Sequence, residues 1–128
     1  MNKENKMLKN KTELGNLGEK LARDYLLTVN YIILATKYRC PYGEIDIINK
    51  LGSTIIFTEV KLRSNLNYGY PSEAVNKTKR QKIYKTALYF INSNYNINNN
   101  YRFDVIEIYK NKSKYVINHI KNAFTAQL

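Results

Sequence analysis

The sequence predicts a mixed α/β fold in which two helices pack against one central sheet. Two segments carry apolar residues at helical spacing, and the segments around them are rich in β-branched and aromatic residues. The 128 residues have the length of one domain, and 44% of them are hydrophobic, which suffices for a buried core. The predicted order of elements is α-β-β-β-α-β-β.

The first helix is predicted to begin at Thr12, a residue type that caps helix N-termini well. A Lys-rich segment, residues 1–11, precedes it, and we expect this segment to be disordered. The helix is expected to end near Asn30. Its apolar face consists of residues at helical spacing: Leu14, Leu17, Leu21 and Tyr25. Residues 12–128 then form a single predicted domain.

The strands are predicted from β-branched and aromatic runs bounded by turn residues. They cover residues 31–39, 44–49, 54–62, 102–109 and 115–120. A second helix is predicted from Ser72 to about Asn92. Its buried side consists of Val75, Ile83, Ala87 and Phe90. The Asn-rich stretch around residues 92–100 is expected to be an exposed loop.

Residues 43–63, GEIDIINKLGSTIIFTEVKLR, are predicted to form a β-hairpin with charged residues inside apolar strands. A two-residue turn, Gly52-Ser53, has glycine at its first central position, which predicts a type II′ turn. This turn pairs Leu51 with Thr54 and thereby fixes which side chains of the two strands face each other.

In this register Asp46 faces Glu59, with Cβ atoms about 5 Å apart, and Glu44 faces Lys61. Two carboxylates that close repel each other, and a divalent cation with a preference for oxygen removes the repulsion. Lys61 can orient an attacking water or stabilise charge on a phosphate. The alternative is a surface charge ladder, with Glu44 paired to Lys61. The metal-site interpretation also predicts that neutralising either acid raises the stability of the metal-free protein.

The net charge of +11 favours a polyanionic partner, above all nucleic acid. Compositional bias is the alternative, because Lys, Asn, Ile and Tyr are residues that an AT-rich genome favours. No apolar run is long enough for a membrane span, and the N-terminus lacks the apolar centre of a signal peptide. A single cysteine without a secretion signal predicts a cytoplasmic location.

Five segments together resemble the YraN-like family of predicted endonucleases. They are LGNLGEKLARDYL, YRCPYGEIDII, IIFTEVKLRS, SEAVNKTKRQKI and RFDVIEI. The resemblance as a whole extends from about Leu14 to Phe124. The resemblance implies a restriction-endonuclease-like αβββαβ core of the PD-(D/E)xK nuclease superfamily, closest to archaeal Holliday-junction resolvases. It further implies Mg²⁺ or Mn²⁺ as cofactor and DNA rather than RNA as partner. Resolvase-like relatives often form homodimers, although the sequence itself carries no separate dimer signal.

The resemblance implies a metal site whose ligands are Asp46, Glu59 and the backbone carbonyl of Val60. Lys61 matches the lysine of the ExK motif. Glu19 matches an acid that resolvase-like members carry on their first helix, whereas its spacing alone also fits an ordinary glutamate at the edge of the buried face. Ile45 stands where the superfamily has a proline before its first acid.

Basic residues on the second helix and at the end of the third strand are candidates for contacts with DNA phosphates. They are Arg63, Lys77, Lys79, Arg80 and Lys82. Lys79 falls within the buried arc of its helix, so it either snorkels to solvent or reaches the acidic site or a phosphate. For the others, a solvated charged face is the alternative.

Two further polar residues are expected to be structural. Asp104 at the start of the fourth strand is a partner for Arg102, and His119 has no Cys or His neighbours in the sequence with which to bind zinc. The predicted function is a metal-dependent DNA endonuclease, and any selectivity is expected to be for DNA shape, such as a junction or flap. The alternative is a non-catalytic nucleic-acid-binding module on the same fold.

Overall fold

A computed structural model describes residues 11–63, 75–94 and 100–125. The elements are α1 (Lys11–Thr28), β1 (Ile32–Cys40), β2 (Gly43–Leu51), β3 (Thr54–Arg63), α2 (Lys77–Asn94), β4 (Asn100–Asn111) and β5 (Lys114–Ile120). The strands form one sheet in the order β1-β2-β3-β4-β5. Strands β3 and β4 are parallel, and the other neighbours are antiparallel. The predicted αβββαβ core in a mixed sheet is therefore confirmed, with β5 added at the edge.

The sheet divides the core into two apolar clusters, because strand side chains alternate between its faces. Helix α2 packs into one cluster through Ile83, Ala87 and Phe90. Helix α1 packs into the other through Ala22 and Leu26. Within the described ranges, neither helix combines the length and apolar character that crossing a membrane requires.

The helix starts differ from the predicted ones. Thr12 lies inside α1, so it is not the N-cap. The predicted start of the second helix, Ser72, lies outside the described residues, and the described helix begins at Lys77. There the side-chain oxygen of Asn76 accepts a hydrogen bond from the backbone N–H of Lys79 at 2.9 Å, which makes Asn76 the cap of α2.

Three predicted features fall wholly or partly outside the described residues. The Lys-rich lead-in is one of them, except that Lys11 already belongs to α1. The loop after the third strand and residues 95–99 of the Asn-rich stretch are the others. The strand boundaries agree with the predictions within two residues, the usual uncertainty of such boundaries.

The β2–β3 hairpin has the predicted turn. Leu51 pairs with Thr54, as the two-residue loop requires. Gly52 has a φ of 60°, and Ser53 is not among the described residues with positive φ. Positive φ at the first central position alone is the type II′ combination, so the sequence identified both the turn and the register next to it.

The hairpin departs from the prediction farther from the turn. The β2–β3 ladder ends at the pair Ile47–Thr58, so the predicted backbone pairing of Asp46 with Glu59 is wrong. Ile45 packs into the same cluster as Ile48, although strict alternation would place residues three apart on opposite faces. Strand β2 is therefore irregular at Asp46, where it diverges from β3.

Candidate active site

Asp46 and Glu59, hereafter the acid pair, lie side by side where β2 and β3 diverge. Oδ2 of Asp46 accepts a hydrogen bond from the backbone N–H of Val60 at 2.8 Å. The Asp46 carboxyl group also makes a hydrogen bond with Glu59, whose residue is only 5% exposed. Burial, followed by the charge of Glu59, raises the pKa of Asp46 to about 7. Without a cation, the acid pair therefore retains a proton up to neutral pH.

Two lysines from different elements converge on Glu59. Lys79 of α2 forms an ion pair with Oε2 of Glu59, and Nζ of Lys61 lies 3.7 Å from the same oxygen. Burial acts to lower the pKa of Lys79, but the interactions with Glu59 outweigh it, and the net pKa is raised. Burial lowers the pKa of Lys61, and the neighbouring Lys79 lowers it further. The site thus combines a firmly protonated lysine with one of reduced proton affinity.

A cavity of about 260 Å³ lies between α1 and the strands beside Asp46, and its lining includes Glu19, Asp46 and Val60. Glu19 is 8% exposed, and its carboxylate lies 3.9 Å from Nζ of Lys37. In the part of the chain that the structure describes, no three His, Cys, Asp or Glu side chains form a group that could hold a metal ion. Glu19 therefore lines the same cavity as Asp46, but within the described residues it forms no three-carboxylate group with the acid pair.

Basic residues of β1 line the same cavity, and the sequence did not single them out. They are Lys37 and Arg39. Lys37 has a φ of 49°, a left-handed conformation that sequence patterns do not signal for lysine, and its side chain reaches Glu19 on α1. Nε of Arg39 donates to Oε1 of Glu44 at 2.6 Å, and the two residues also pair in the β1–β2 ladder. The predicted pairing of Glu44 with Lys61 is therefore wrong.

A third buried acid, Glu107, lies beside Lys61 on the neighbouring strand, where the two residues pair in the β3–β4 ladder. Nε of Arg63 donates to one Glu107 carboxylate oxygen at 3.1 Å, and the Tyr109 hydroxyl donates to the other. The Arg63 side chain is 23% exposed, so a contact with phosphate would compete with this ion pair. No sequence pattern indicates Glu107, because the partners of a glutamate in an apolar strand are known only once β3 and β4 are aligned.

The other basic candidates of α2 differ in how freely they face solvent. Lys77 and Lys82 are exposed. Nε of Arg80 donates to the backbone carbonyl of Val75 at 2.9 Å, which holds this side chain against the start of the helix. Lys77 and Arg80 also line a separate cavity of about 280 Å³. Of the predicted phosphate contacts, Lys82 and Lys77 are thus the most accessible, whereas Lys79 faces the acid pair.

Asp104 anchors a buried network away from the acid pair. Arg102 donates two hydrogen bonds of 2.8 Å to its carboxylate, and Nε2 of His119 lies 2.7 Å from Oδ2. The Tyr25 hydroxyl lies 2.9 Å from Nδ1 of His119. Burial acts to raise the pKa of Asp104, but the hydrogen bonds from His119 and Arg102 outweigh it and lower the pKa. The predicted structural pairing of Asp104 with Arg102 is confirmed.

Comparison with known proteins matches residues 18–108 to an uncharacterised protein family, UPF0102. The chain is 50% identical over 117 residues to a UPF0102 protein of Caldicellulosiruptor saccharolyticus, which covers 90% of this chain and 99% of the relative. It is 52% identical over 116 residues to a UPF0102 protein of Clostridioides difficile, again covering 90% and 99%. A relative from Caldanaerobacter subterraneus is 45% identical over 118 residues, or 90% and 97% of the two chains. This chain therefore belongs to the YraN-like uncharacterised protein family UPF0102.

Proposed function

We propose that this protein is a metal-dependent endonuclease that hydrolyses DNA phosphodiester bonds, with branched DNA as the preferred substrate. The observation that carries the proposal is the acid pair. Asp46 retains a proton up to neutral pH and lines a cavity together with Lys37 and Arg39. Lys61 lies 3.7 Å from Glu59, the other acid of the pair. A metal ion and a phosphate are the charges that such a site is suited to bind.

The donor set fits Mg²⁺ or Mn²⁺. The acid pair offers hard oxygen ligands, and the raised pKa of Asp46 marks a place where a second negative charge requires a cation. A strand residue directs its N–H and C=O toward the same neighbour, so the Val60 carbonyl faces the gap in which its N–H meets Asp46. Asp46, Glu59 and this carbonyl would hold the ion. When bound, it supplies charge stabilisation at the phosphate and lowers the pKa of water.

Lys61 is suited to handle the proton of the attacking water. Its pKa is lowered by burial and by Lys79, so it gives up its own proton more readily than an ordinary lysine does. In the neutral form it can accept a proton from water, and in the charged form it stabilises negative charge on phosphate oxygens. Lys79 stays protonated and holds Glu59 in place. Each role belongs to a side chain whose position is set by a strand or a helix of the core.

The same arrangement supports placing the chain in the PD-(D/E)xK superfamily. The first acid lies on β2, and the Glu59-Val60-Lys61 motif follows on β3 of an αβββαβ core. The resemblance to junction resolvases motivates the branched substrate. Contacts from Lys37 and Arg39 to phosphates would carry no sequence information, so selectivity would depend on DNA shape. A DNA substrate also agrees with the cytoplasmic location expected from the sequence.

Cleavage of labelled DNA tests the proposal. A four-way junction, a flap, a linear duplex and a single strand are incubated with the protein and Mg²⁺ or Mn²⁺. We expect cleavage that EDTA abolishes, and Lys61→Ala should reduce the rate about 100-fold or more. Lys114→Ala, at an exposed lysine of β5, is the matched control and should cut like the wild type. Equal cleavage by wild type and Lys61→Ala would refute the catalytic assignment.

A non-catalytic nucleic-acid-binding module is the second candidate. The ion pair between Lys79 and Glu59 favours it, because it occupies an acid that a metal site would need. This candidate predicts salt-sensitive DNA binding that persists in Asp46→Asn and Glu59→Gln, with no cleavage of any substrate by the wild type. Isothermal titration with Mn²⁺ separates the two candidates, since only the nuclease requires binding of the ion that Asp46→Asn weakens.

A further inference from the structure

An exposed aromatic pocket lies near the end of α2 that is farther from the acid pair. Its walls consist of Tyr42 from the β1–β2 turn and Lys85, Leu88, Tyr89 and Asn92 from α2. Tyr42 is 52% exposed and Tyr89 is 42% exposed, and their ring centroids are 6.3 Å apart with an angle of 66° between the planes. The pocket measures about 470 Å³, compared with about 260 Å³ for the cavity at the acid pair.

The turn that carries Tyr42 is held firmly against α2. A Cβ on Gly43 would lie 3.2 Å from Oγ1 of Thr86 and 3.6 Å from Cβ of Lys82, which shows how closely the backbone approaches the helix. Beneath the turn, the rings of Tyr38 and Phe90 make an edge contact with centroids 5.2 Å apart. The backbone that carries Tyr42 is therefore held in place by α2, so this residue is preorganised for binding a ligand.

Positive charge connects this pocket to the acid pair. Lys79, Lys82 and Lys85 recur every three residues, so each is a neighbour of the next on the helix surface. Lys79 contacts Glu59, whereas Lys82 and Lys85 are exposed. From Lys79 to Tyr89 the helix rises about 15 Å. At the 3.4 Å that one strand of B-DNA advances per nucleotide, this distance corresponds to about four nucleotides.

We propose that this pocket binds an unpaired nucleotide, whose base stacks on the ring of Tyr42 or Tyr89 and meets the edge of the other ring, and whose phosphate contacts Lys85. Two exposed rings at a steep angle offer one face and one edge to a flat ligand, and a base buried in a duplex has no free face to offer them. The lysines complement the charge of a polynucleotide backbone. The inference rests on the proposed function, because the bound strand would be the single-stranded segment of the branched DNA that the acid pair cleaves.

Binding of labelled oligonucleotides tests the proposal without metal or cleavage. Fluorescence anisotropy in EDTA at low salt compares a 12-nucleotide single strand with a duplex of the same length, using the full chain. The double variant Tyr42→Ala/Tyr89→Ala should weaken single-strand binding about tenfold or more and change duplex binding less than about twofold. Circular dichroism verifies that the variant remains folded.

Two controls separate stacking from other effects. Tyr42→Phe/Tyr89→Phe keeps both rings and should bind the single strand like the wild type. Lys85→Ala should weaken binding and reduce its salt dependence, whereas Lys114→Ala, at another exposed lysine, should do so less. Unchanged single-strand affinity in the alanine double variant, equal losses for strand and duplex, or no single-strand binding by the wild type would each overturn the proposal.

The outcomes also distinguish this inference from the proposed nuclease activity. If the wild type cuts no DNA but shows tyrosine-dependent binding of the single strand, the pocket stands and the catalytic proposal fails. If the wild type cuts branched DNA while the alanine double variant binds and cuts like it, the pocket fails alone.

Discussion

Asp46 and Glu59 have unequal surroundings, although the sequence-based prediction assigned both the same effect on stability. Glu59 faces the ammonium groups of Lys61 and Lys79. Asp46 faces a backbone N–H and the other acid. The sequence-based expectation that neutralising either acid stabilises the metal-free protein therefore divides into two opposite predictions.

Asp46→Asn should stabilise the metal-free protein above neutral pH. Because the pKa of Asp46 rises from 3.8 to about 7 on folding, its favourable contribution is full below pH 4 and is lost as the pH rises to 7. Asparagine keeps an oxygen for the Val60 N–H and removes the repulsion. We expect a gain of about 1–3 kcal/mol in the free energy of unfolding at pH 8 and little gain at pH 4. Urea unfolding in EDTA measures both values.

Glu59→Gln should do the reverse, because it leaves Lys61 and Lys79 without their common counterion. The two lysine side chains are 25% and 38% exposed, so solvent screens part of the effect, and we expect a loss of about 1–2 kcal/mol at pH 8. The same urea series compares it with Asp46→Asn. Stabilisation by both substitutions would show that repulsion between the acids outweighs the lysine contacts and would contradict this prediction.

Lys79→Gln should raise the pKa of Lys61. Burial is the main cause of the lowered pKa of Lys61 and persists in the variant, but the hydrogen bond and the positive charge of Lys79 are removed. The neutral form of Lys61 then appears only at higher pH. NMR titration of the lysine Cε resonances should show an upward shift, and the rising limb of the cleavage-pH profile should move in the same direction. Lys82→Gln, one turn along α2, is the control and should leave both unchanged.

At the scale of elements, the contact between the β1–β2 turn and α2 holds the start of β2 in place. Gly43 combines a φ of 156° with a Cβ position only 3.2 Å from Oγ1 of Thr86, so a side chain there would push the turn away from the helix. We expect Gly43→Ala to lower the free energy of unfolding by about 1–2 kcal/mol. Gly15→Ala is the control, because α1 offers open space there and alanine favours helix by about 1 kcal/mol. In thermal or urea unfolding, we expect Gly43→Ala to lower the stability and Gly15→Ala to raise it. A change in the same direction for both variants would contradict the prediction.

The sequence predicted those elements whose signal is local. The Gly52-Ser53 turn carries its own conformational preference, and apolar periodicity identified the helices and strands. The features that the sequence did not predict depend on contacts between elements. The left-handed Lys37 and the irregularity at Asp46 are backbone features that no residue type in those strands requires. The position of Glu107 beside Lys61 follows only from the pairing of β4 with β3, two strands that are far apart in the sequence.

At the scale of the whole molecule, α1 connects the two polar centres of the sheet. Its first half carries Glu19 to the cavity beside the acid pair, and its second half carries Tyr25 to His119 in the Asp104 network. Asp104 also accepts a hydrogen bond of 2.9 Å from the backbone N–H of Asn122, after β5. The network therefore joins α1 to the β4–β5 edge of the sheet, and the position of Glu19 depends on how firmly α1 is held.

Asp104→Asn should weaken this connection strongly. The carboxylate is fully buried and accepts hydrogen bonds from Arg102, His119 and a backbone N–H. Its loss leaves the partly buried Arg102 guanidinium without its counterion, at a cost of about 3 kcal/mol at pH 7. Because folding lowers the pKa of Asp104 below its ordinary value of 3.8, its contribution is full above pH 4 and is lost as the pH falls through the folded value.

The difference in unfolding free energy between wild type and Asp104→Asn should therefore be largest near neutral pH and shrink below pH 4. Urea unfolding across pH 2.5–7 measures it. Asp24→Asn is the matched control on α1, because Asp24 pairs with Lys20 at the surface with half its side chain exposed, and solvent screens such pairs so that they contribute little to stability. A difference that stayed constant with pH would mean that Asp104 stabilises the fold through packing alone. Hydrogen exchange should then be as slow in α1 of the variant as in the wild type, whereas loss of the charge network should accelerate it there first.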